Sequence, residues 1–468
     1  MIYLFAKRED DPSRAAHSNI VVPAPEGKKF LPYQLAGVEY MINRGDVLNA
    51  DQMGLGKTCE AIGVSNMLPD YRAVLIVCPA TLKQNWENEW RAWDTKSLTV
   101  GIVRGKELPT TDVIVINYDL LRKFRAQLRE RRWDILIVDE CHYAKNKKAI
   151  RTREVLGGIK RNQDKQIIDR VNALTALKRM YLSGTPLRRP KDIWPLLQVI
   201  DPDGLGSNWH TFAKRYCGLF EIKDYQGKRI GWKWDGATNL EELQKLLRER
   251  VMLRRLKADV LKELPPKRRQ IILLEGTKKI DKLLESERME YDKYKRFEGD
   301  LDVAFGDMAK LREEVGLAKV PYVIEYLEEI LDENEKVVVF ARHHSVIDRI
   351  AAAFGSACVV LDGRTPIEDR AGIVSSFQRN LGTKIFIGSI KAAGVGITLT
   401  VASLAIFAEL EWLADDISQA EDRLHRVTQT RGVNIQHLIW KLSLDEKIIS
   451  NIIAEQERID EALDKRAE

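Results

Sequence analysis

The chain has 468 residues, of which 44% are hydrophobic and 31% charged, and its formal net charge is +6. This length exceeds what one hydrophobic core supports, so we expect two or three domains with the composition of a soluble globular protein. No stretch approaches the roughly 18 consecutive apolar residues of a membrane span, and the N-terminus lacks the pattern of a secretory signal. The five cysteines form no C-x-x-C pair, which argues against a zinc site or disulfide framework and predicts a reducing compartment.

Apolar runs alternate with helical patterns from about residue 30 to 200, which predicts a parallel sheet covered by helices. Helices are expected over Lys57–Met67 and Thr81–Trp93, and the tryptophans of the second, Trp86 and Trp90, are expected to face the core. The predicted strands of this region are Ala73–Cys78, Asp112–Asn117, Asp134–Asp139 and Arg179–Leu182.

Residues 50–58 have the composition of a phosphate-binding loop. Gly54 and Gly56 let backbone N–H groups close on an anionic oxygen. Lys57 can place its charge against the β- and γ-phosphates, and Thr58 can hold Mg²⁺. The apolar run Val47–Ala50 before the loop and the helical pattern after it predict that the loop lies between a strand and a helix N-terminus, where the helix dipole favours phosphate.

Asp51 stands where the general G-x-x-x-x-G-K-T pattern has its first glycine, so a surface turn is the alternative for this segment alone. A second motif favours the phosphate loop. The apolar run Ile135–Val138 predicts a buried strand, and two acids follow at its C-terminal end, where open α/β sheets bind ligands. Asp139 would hold Mg²⁺, and Glu140 would orient or deprotonate the attacking water. An acidic turn is the alternative for these two residues alone, but together the motifs predict nucleoside triphosphate hydrolysis.

Basic residues cluster in three places. Arg248–Arg269 contains nine Lys/Arg and three Asp/Glu, and further clusters lie at Arg122–Arg132 and Lys145–Arg161. Such patches suit a phosphate backbone, with solvated surface faces as the alternative. The first of these clusters ends in Leu264–Arg269 and is expected to link two domains, and a charged helical region follows from about 277 to 333.

The alternation of strands and helices then resumes, with predicted strands Lys336–Phe340, Cys358–Leu361, Lys384–Ile387 and Leu404–Glu409. Beyond them, Gln419, Arg423 and Arg426 are spaced four and three apart, which predicts that they point the same way on one helix. Two guanidinium groups on one face suit the charge that builds on a γ-phosphate in the transition state. The alternative is an exposed helix in which Glu421 and Asp422 pair with these arginines.

Taken in order over about residues 30 to 450, these motifs resemble the helicase-like ATPase core of the Swi/Snf family, within helicase superfamily two. The segment Leu31–Val38 resembles the adenine-reading motif, with Gln34 as the reader, and Asp51 is the family's own variation in the phosphate loop. The residues that the resemblance assigns to the nucleotide are Gln34, Asp51, Met53, Gly54, Leu55, Gly56, Lys57 and Thr58.

Other segments resemble the family's DNA-contacting and coupling motifs. The implied contacts with the DNA backbone are Pro79, Thr81, Asn117 and Thr398, and the implied coupling residues are Thr185, Gly394 and Gly396. The segment Leu253–Val260 resembles the family's inter-lobe segment. Within the family, Ser183–Pro186, Phe340–His344 and Phe407–Leu410 are most similar to the annealing-helicase, or fork-remodelling, subgroup.

The resemblance implies an α/β fold of two RecA-like parallel-sheet lobes in tandem with helical insertions between them. The expected organisation is an N-terminal extension (1–28), lobe 1 (29–200), an insertion of lobe 1 (201–254), a basic linker (255–270), a helical protrusion of lobe 2 (271–333), lobe 2 (334–443) and a C-terminal helix (444–468).

The implied activity is that of a monomeric ATPase that uses Mg²⁺ and translocates on double-stranded or branched DNA without reading its sequence. ATP would bind between the lobes, with Lys57, Asp139 and Glu140 from lobe 1 and the arginines from lobe 2. The expected location is the cytoplasm or nucleoid, or the nucleus in a eukaryote. Two alternatives are a strand-separating helicase that loads on single strands and a catalytically silent DNA-binding scaffold.

Overall fold

The structure is a computed structural model, which describes residues 11–450 except 163, 165, 188, 219, 224–228, 235, 297–300, 332–335 and 394–395. The chain forms two compact units that meet in sequence between Lys262 and Glu263. Each unit is built on its own parallel sheet, which confirms the predicted class of two α/β lobes in tandem. Within the described residues, no helix combines the length and apolar character that crossing a membrane requires.

The sheet of the first unit is parallel, with the strand order β11-β1-β8-β5-β2-β4-β3. Two antiparallel hairpins, β6–β7 and β9–β10, lie outside it. The strands are β1 (Asp46–Asn49), β2 (Val74–Cys78), β3 (Val100–Ile102), β4 (Val113–Asn117), β5 (Ile135–Asp139), β6 (Gly158–Arg161), β7 (Ile167–Val171), β8 (Lys178–Leu182), β9 (Phe220–Lys223), β10 (Arg229–Lys233) and β11 (Met252–Leu253).

Helices cover this sheet because their apolar stripes complete its core. Single 3-10 turns follow three of the strands, at Ala80–Leu82, Tyr118–Leu120 and Cys141–Ala144. The α-helices of the first unit are α1 (Pro32–Ile42), α2 (Lys57–Met67), α3 (Lys83–Trp93), α4 (Arg125–Glu130), α5 (Ile150–Leu156), α6 (Pro190–Ile200), α7 (Trp209–Tyr216), α8 (Leu240–Arg250) and α9 (Lys257–Val260).

The register of the parallel strands brings their C-terminal ends to one edge of the sheet. Cys78 of β2 pairs with Asn117 of β4, and Asp139 of β5 pairs with Leu182 of β8. Strands β2, β4 and β5 are buried along their whole length, as their apolar runs predict. The polar residues that follow these strands therefore collect at the edge where open α/β sheets bind ligands.

The second unit repeats this plan with the parallel order β12-β17-β16-β13-β15-β14. Its strands are β12 (Lys267–Leu274), β13 (Val337–Ala341), β14 (Cys358–Leu361), β15 (Ile385–Ser389), β16 (Leu404–Phe407) and β17 (Val433–Trp440). Its helices are α10 (Lys278–Arg296), α11 (Leu301–Leu331), α12 (His344–Phe354), α13 (Ile367–Arg379), α14 (Ile390–Ala393) and α15 (Ala414–Glu421).

All the strands predicted from apolar runs are confirmed to within two residues at each end, as are helices α2 and α3. Four strands of the main sheets were not predicted: β3, β11, β12 and β17. Strand β12 begins with three basic residues, Lys267 to Arg269, and occupies the edge of its sheet. A basic edge strand carries no apolar run, so its pairing with β17 decides its conformation.

The basic stretch 255–270 was expected to be a linker, but most of it is integrated into the two units. Strand β11 joins the first sheet beside β1, and the side chains of Arg254, Arg255 and Lys257, which follow it, are buried. Lys267 already belongs to β12. The interpretation of Arg248–Arg269 as a solvated or phosphate-binding patch is therefore wrong for its buried arginines, which have internal partners.

Candidate active site

The glycines of the phosphate loop adopt backbone angles that other residues disfavour. Gly54 has a φ of +84° and Gly56 a φ of +87°, in the left-handed region. Gly56 is also the N-cap of α2, which begins at Lys57. A Cβ atom on Gly56 would lie 2.5 Å from Nε2 of Gln34, so a side chain there would also force Gln34 to move. The loop therefore ends in a helix N-terminus, which favours bound phosphate.

The side chain of Lys57 is held in place by the backbone of the phosphate loop. Its Nζ donates to the carbonyl oxygen of Asp51 at 2.7 Å and to that of Gln52 at 3.4 Å. Burial lowers the pKa of Lys57, and the negative charges of Glu140, Asp51 and Asp139 oppose this shift. The ammonium group therefore lies within electrostatic reach of both candidate catalytic carboxylates.

Gln34, the predicted adenine reader, lies on α1 against the phosphate loop. Its Oε1 accepts the N–H of Leu31 at 2.9 Å, and its Nε2 donates to the carbonyl of Leu55 at 3.2 Å. The hydroxyl of Tyr33 donates to the same carbonyl at 3.0 Å. The structure thus places the predicted nucleotide residues of α1 and of the loop side by side.

Asp51 has an internal partner for its side chain. Its carboxylate is fully buried and accepts hydrogen bonds from Nε of Arg255 at 3.0 and 3.1 Å and from the Arg255 N–H at 2.8 Å. The same guanidinium binds Oε1 of Glu60 at 2.5 Å and donates to the carbonyl of Tyr33. Asp51 therefore contributes its backbone carbonyl to the nucleotide site, where it binds Lys57, while its carboxylate anchors the loop to Arg255.

Asp139 ends β5 with both carboxylate oxygens hydrogen-bonded. Oδ1 accepts the N–H of Glu140 at 3.0 Å, and Oδ2 accepts the indole N–H of Trp86 at 2.8 Å. Burial, reinforced by the charge of Glu140, raises the pKa of Asp139 to about 7, while Trp86 and Lys57 act in the opposite direction. Glu140 has a φ of +50°, a strained backbone for a residue with a Cβ. Such strain is typical of functional sites.

The loop after β8 connects the acidic loop to the phosphate loop. Nδ1 of His142 lies 3.0 Å from Oγ of Ser183, which also accepts the N–H of Thr185 at 3.2 Å. The buried hydroxyl of Thr185 has no hydrogen-bond partner among the described residues. A Cβ on Gly184 would lie 2.5 Å from Cγ of Met53, so this glycine lets the two loops approach. The predicted coupling residue Thr185 therefore lies where both loops meet.

The oxygen donors of the site suit magnesium. Thr58 opens α2 with a hydroxyl, and Asp139 supplies a carboxylate. Across the described residues, no three His, Cys, Asp or Glu side chains cluster in a way that could hold a metal ion. Mg²⁺ is usually bound by one or two protein groups together with substrate phosphates and water. Two protein oxygens therefore fit a cation that arrives with a nucleotide.

The predicted DNA contacts of the first unit follow β2 and β4 at the same sheet edge. Pro79 is buried, whereas Thr81, in the 3-10 turn before α3, is partly exposed. Asn117 is 7% exposed, and its amide donates to Asp119 at 3.4 Å. Of these three candidates, Thr81 offers the most accessible side chain.

In the second unit, the prediction that one helix carries Gln419, Arg423 and Arg426 is wrong. Helix α15 ends at Glu421, and the two arginines lie in the turns that follow. The turns nevertheless keep the three residues together, since Nε of Arg423 donates to the carbonyl of Gln419 at 3.1 Å. Nη1 of Arg426 donates to the hydroxyl of Thr398 at 3.0 Å, so a predicted DNA contact adjoins a predicted catalytic arginine.

The acids beside these arginines have cationic partners on β12. Glu421 is fully buried and binds Nζ of Lys267 at 2.9 Å and Arg269 at 2.7 Å, and Asp422 binds Lys267 at 3.1 Å. The solvated salt-bridged helix proposed as the alternative does not describe this region. Of the predicted coupling glycines, Gly396 has a φ of +79°, and Gly394 lies outside the described residues.

Sequence reasoning missed three residues at the first site: Trp86, Arg254 and Arg255. Nη1 of Arg254 donates to the carbonyls of Ala50 at 2.7 Å and Gly184 at 2.9 Å, which ties the phosphate loop to the loop after β8. The apolar run directly before the arginines was a signal that they close a buried strand. For Trp86, whose core position was predicted, nothing in the sequence indicated a polar partner.

The two other basic clusters meet around a cavity of about 300 Å³ in the first unit. Arg122, Arg125, Arg153 and Lys160 line it together with Asp169. Arg125 is bonded to Asp169 at 2.9 Å and to the buried Glu154, whereas Arg122 and Lys160 are exposed. The cavity is therefore a basic concave surface of the first unit.

Comparison with known proteins agrees with this geometry. Residues 33–301 match the model of the SNF2-related domain, and residues 321–428 match the helicase conserved C-terminal domain. The chain is 34% identical over 435 residues to the Bos taurus DNA annealing helicase and endonuclease ZRANB3, which covers 89% of this chain and 39% of that protein. It is 33% identical over 445 residues to the Xenopus tropicalis SWI/SNF-related matrix-associated actin-dependent regulator of chromatin subfamily A-like protein 1, covering 90% and 43%.

The chain thus spans about two fifths of the length of the curated relatives it matches. Among solved structures, it is similar to the Sulfolobus solfataricus SWI2/SNF2 ATPase core in complex with dsDNA, at 23% identity and a TM-score of 0.42, covering 94% of this chain and 98% of that one. The SNF2-related model alone matches more than half of the residues. The chain belongs to the family of proteins with an SNF2-related ATPase domain, as its motifs predicted.

Proposed function

We propose that this chain hydrolyses ATP when DNA is bound and uses the cycle to translocate on double-stranded or branched DNA. The observation that supports this most is the convergence of the glycine loop, Lys57, Asp139 and Glu140 at one edge of the first sheet. Membership of the SNF2-related family supports the same activity, and the names of two relatives include annealing helicase and regulator of chromatin.

The residues of the first unit divide the chemistry between them. The N–H groups at the start of α2 and the ammonium of Lys57 receive the β- and γ-phosphates. Thr58 and Asp139 would hold Mg²⁺, which neutralises phosphate charge when it is bound. Glu140 follows the end of β5 and has a positive φ, and its carboxylate would orient the attacking water.

The second unit would supply the positive charge that hydrolysis needs in the transition state. Arg426 is oriented at two points, by the carbonyl of Asp422 at 3.0 Å and by the hydroxyl of Thr398. Arg423 is anchored to Gln419. Guanidinium groups that are already oriented lose little entropy when they bind the γ-phosphate.

DNA would be held through its backbone by the Thr81 and Thr398 loops. Such contacts read no base sequence, so binding should weaken steeply with salt. We further propose that the active species is a monomer located with cellular DNA, in the nucleus or the nucleoid. Light scattering with size-exclusion chromatography would detect a dimer.

The test is phosphate release measured with duplex, single-stranded, forked and four-way-junction DNA. We expect duplex or branched DNA to stimulate ATP hydrolysis most. Stronger stimulation by single strands would favour the strand-separating helicase instead. Absence of hydrolysis by the wild-type chain with every DNA would favour the silent scaffold.

Two substitutions test the assignment of catalytic residues. Lys57→Ala and Arg426→Ala should each reduce turnover at least about 100-fold, in line with the loss of a group that stabilises transition-state charge. Arg349→Ala, which removes an exposed arginine of α12 in the second unit, is the matched control and should leave turnover unchanged. Normal hydrolysis by the Arg426 variant would contradict the role of the second unit.

A further inference from the structure

Helix α3 carries two tryptophans that are equally buried but differently bonded. Trp86 and Trp90 lie one turn apart, and both are fully buried. The indole N–H of Trp86 donates to Oδ2 of Asp139 at 2.8 Å. The indole N–H of Trp90 has no hydrogen-bond partner among the described residues. One helix therefore presents the same side chain with and without a bond to the candidate magnesium carboxylate.

The N-terminus of α3 is continuous with a candidate DNA-contacting loop. The 3-10 turn Ala80–Leu82 runs directly into α3 at Lys83, with Ala80 exposed and Thr81 partly exposed. Trp86 follows Leu82 by four residues, about 6 Å along the helix axis. Because a helical turn is held by its own backbone hydrogen bonds, a displacement of the loop reaches Trp86 as a displacement of the helix.

The hydrogen bond from Trp86 links Asp139, at the end of β5, to helix α3. Oδ1 of Asp139 is held by the N–H of the next residue, Glu140, and moves with it. Oδ2 is held by α3, which lies between β2 and β3 in the chain. Hydrogen bonds to carboxylates are among the stronger ones in proteins. The orientation of this carboxylate therefore depends on where α3 sits.

We propose that Trp86 is a positioning residue that transmits DNA contact at the Pro79–Leu82 loop to the Asp139 carboxylate. DNA that presses on the loop moves α3, the indole moves with the helix, and the carboxylate turns with the indole. Trp86 touches no substrate in this scheme and transfers no proton. The inference rests on the proposed function, since it explains how DNA stimulates ATP hydrolysis.

The first test compares Trp86→Phe with Trp90→Phe in the full chain. Each removes an indole N–H from a buried site of α3, but only the first removes a hydrogen bond to Asp139. The quantity measured is the stimulation factor, the turnover with saturating duplex DNA divided by the turnover without DNA. We expect it to fall at least fivefold in Trp86→Phe and less than twofold in Trp90→Phe. Duplex affinity, measured by fluorescence anisotropy, should stay within twofold of wild type in both.

A second test uses hydrogen exchange and needs no turnover. With a non-hydrolysable ATP analogue and Mg²⁺ present, adding duplex DNA to the wild-type chain should change exchange in the segment 139–144, which includes the Glu140 N–H bonded to Asp139. The change should persist in Trp90→Phe and disappear in Trp86→Phe. If Trp86→Phe is poorly folded, the wild-type chain still tests the inference, because the absence of a response in it contradicts the proposed transmission.

The outcomes separate this inference from the proposed function. A wild-type enzyme that DNA does not stimulate overturns both. A stimulated wild-type enzyme with an unchanged stimulation factor in Trp86→Phe, an equal fall in Trp90→Phe, or no DNA-dependent change in exchange at 139–144 overturns the role of Trp86 and leaves the proposed function standing.

Discussion

The two units share a parallel-sheet plan but differ in how many cations neutralise their buried carboxylates. In the first unit, one guanidinium, that of Arg255, serves two fully buried carboxylates, Asp51 and Glu60. In the second unit, two cations face two carboxylates: Asp445 is bound by Arg312 at 2.8 Å and by Lys319 at 3.0 Å, and Arg312 also binds the buried Glu287 at 3.1 Å. Carboxylates outnumber cations in the first network, whereas the two are equal in number in the second.

The pKa values follow this difference. Burial and the nearby Asp51 raise the pKa of Glu60 to about 8, although Arg255 and Asn49 oppose the shift. Burial also disfavours ionised Asp445, but Lys319 and Arg312 outweigh it and hold the pKa of Asp445 below its usual range. The phosphate-loop network can therefore take up a proton near neutral pH, whereas Asp445 in the second network stays ionised.

The largest effect should come from breaking the second network. Asp445→Asn leaves Arg312 and Lys319 buried with less compensation, and removing one partner of a buried ion network costs about 3–5 kcal/mol. We expect this loss of stability in the second unit. Because the chain has two units, it should be measured by native-state hydrogen exchange of β17 rather than from a single unfolding midpoint.

The matched control for that variant is Asp348→Asn in the same unit. Asp348 pairs with Arg364 on the surface, where both side chains are more than half exposed. Exposed ion pairs contribute little to stability. A change as large as that of Asp445→Asn would show that buried location does not distinguish the two pairs.

A smaller loss is expected when the first network is broken. Arg255→Met leaves Asp51 and Glu60 without their cation, but Glu60 can accept a proton and so remove one of the two charges. We expect destabilisation of the first unit by about 3 kcal/mol, the lower end of the cost of removing one partner of a buried ion pair. Hydrogen exchange of β5 measures it, and Arg250→Met, at an arginine bonded to Asp201 near the surface, is the control.

The pH dependence of stability should differ in sign between the units. A folded-state pKa of about 8 for Glu60, against about 4.5 in the unfolded chain, stabilises the first unit at low pH. This contribution falls as pH rises from about 4.5 to about 8, by up to about 1.4 kcal/mol per pH unit. The depressed pKa of Asp445 acts oppositely, since its contribution is present above about pH 4 and is lost as pH falls.

Hydrogen exchange measured in the first unit from about pH 5 to pH 9, and in the second unit from about pH 5 down to pH 2, tests this contrast. Glu60→Gln should reduce the slope in the first unit, where Asp139, with a pKa of about 7, contributes a further slope of the same sign, and should leave the second unit unaffected. The groups that face Glu60 are Arg255, Asp51, Asn49 and Tyr33, so a slope that survives in the Gln variant would have to be assigned elsewhere.

The fold was largely predictable because most of its strands are apolar runs, which can be recognised in the sequence without knowledge of their tertiary contacts. Strands β2 and β5 are buried along their length, and their composition alone indicated it. Strands β12 and β17 were not predicted because their sequences mix basic or polar residues with apolar ones. Their pairing with each other stabilises the strand conformation. The end of α15 at Glu421 was not predicted, because residues spaced i, i+4 can lie close together in tight turns as well as in a helix.

The site was predictable where chemistry depends on residue type and order, as in Gly56, Lys57 and Asp139. It was not predictable where a contact joins distant segments. The bond from Trp86 to Asp139 spans 53 positions, and that from Arg255 to Asp51 spans 204. Neither tryptophan nor arginine carries a signal of its partner in the sequence, so only tertiary structure assigns these roles.

The basic clusters likewise differ in tertiary contacts that their sequences do not indicate, and the smallest expected effect concerns them. In sequence, Arg254 and Arg255 look as available to DNA as Arg122 and Lys160 do. In the structure the first pair is buried and bonded within the first unit, whereas the second pair is exposed at the cavity. Only the exposed pair can release counterions from DNA.

The double variant Arg122→Ala/Lys160→Ala should therefore weaken duplex binding severalfold and make it less sensitive to salt. Removing one cation that neutralises a phosphate lowers the slope of log K against log salt by about 0.9, so removing two lowers it by up to about 1.8. Fluorescence anisotropy between 50 and 200 mM salt measures the slope. Lys245→Ala, at an exposed lysine of α8 away from the cavity residues, is the control. If both variants change the slope equally, the cavity is an ordinary solvated surface, and exposure alone does not identify the cations that bind DNA.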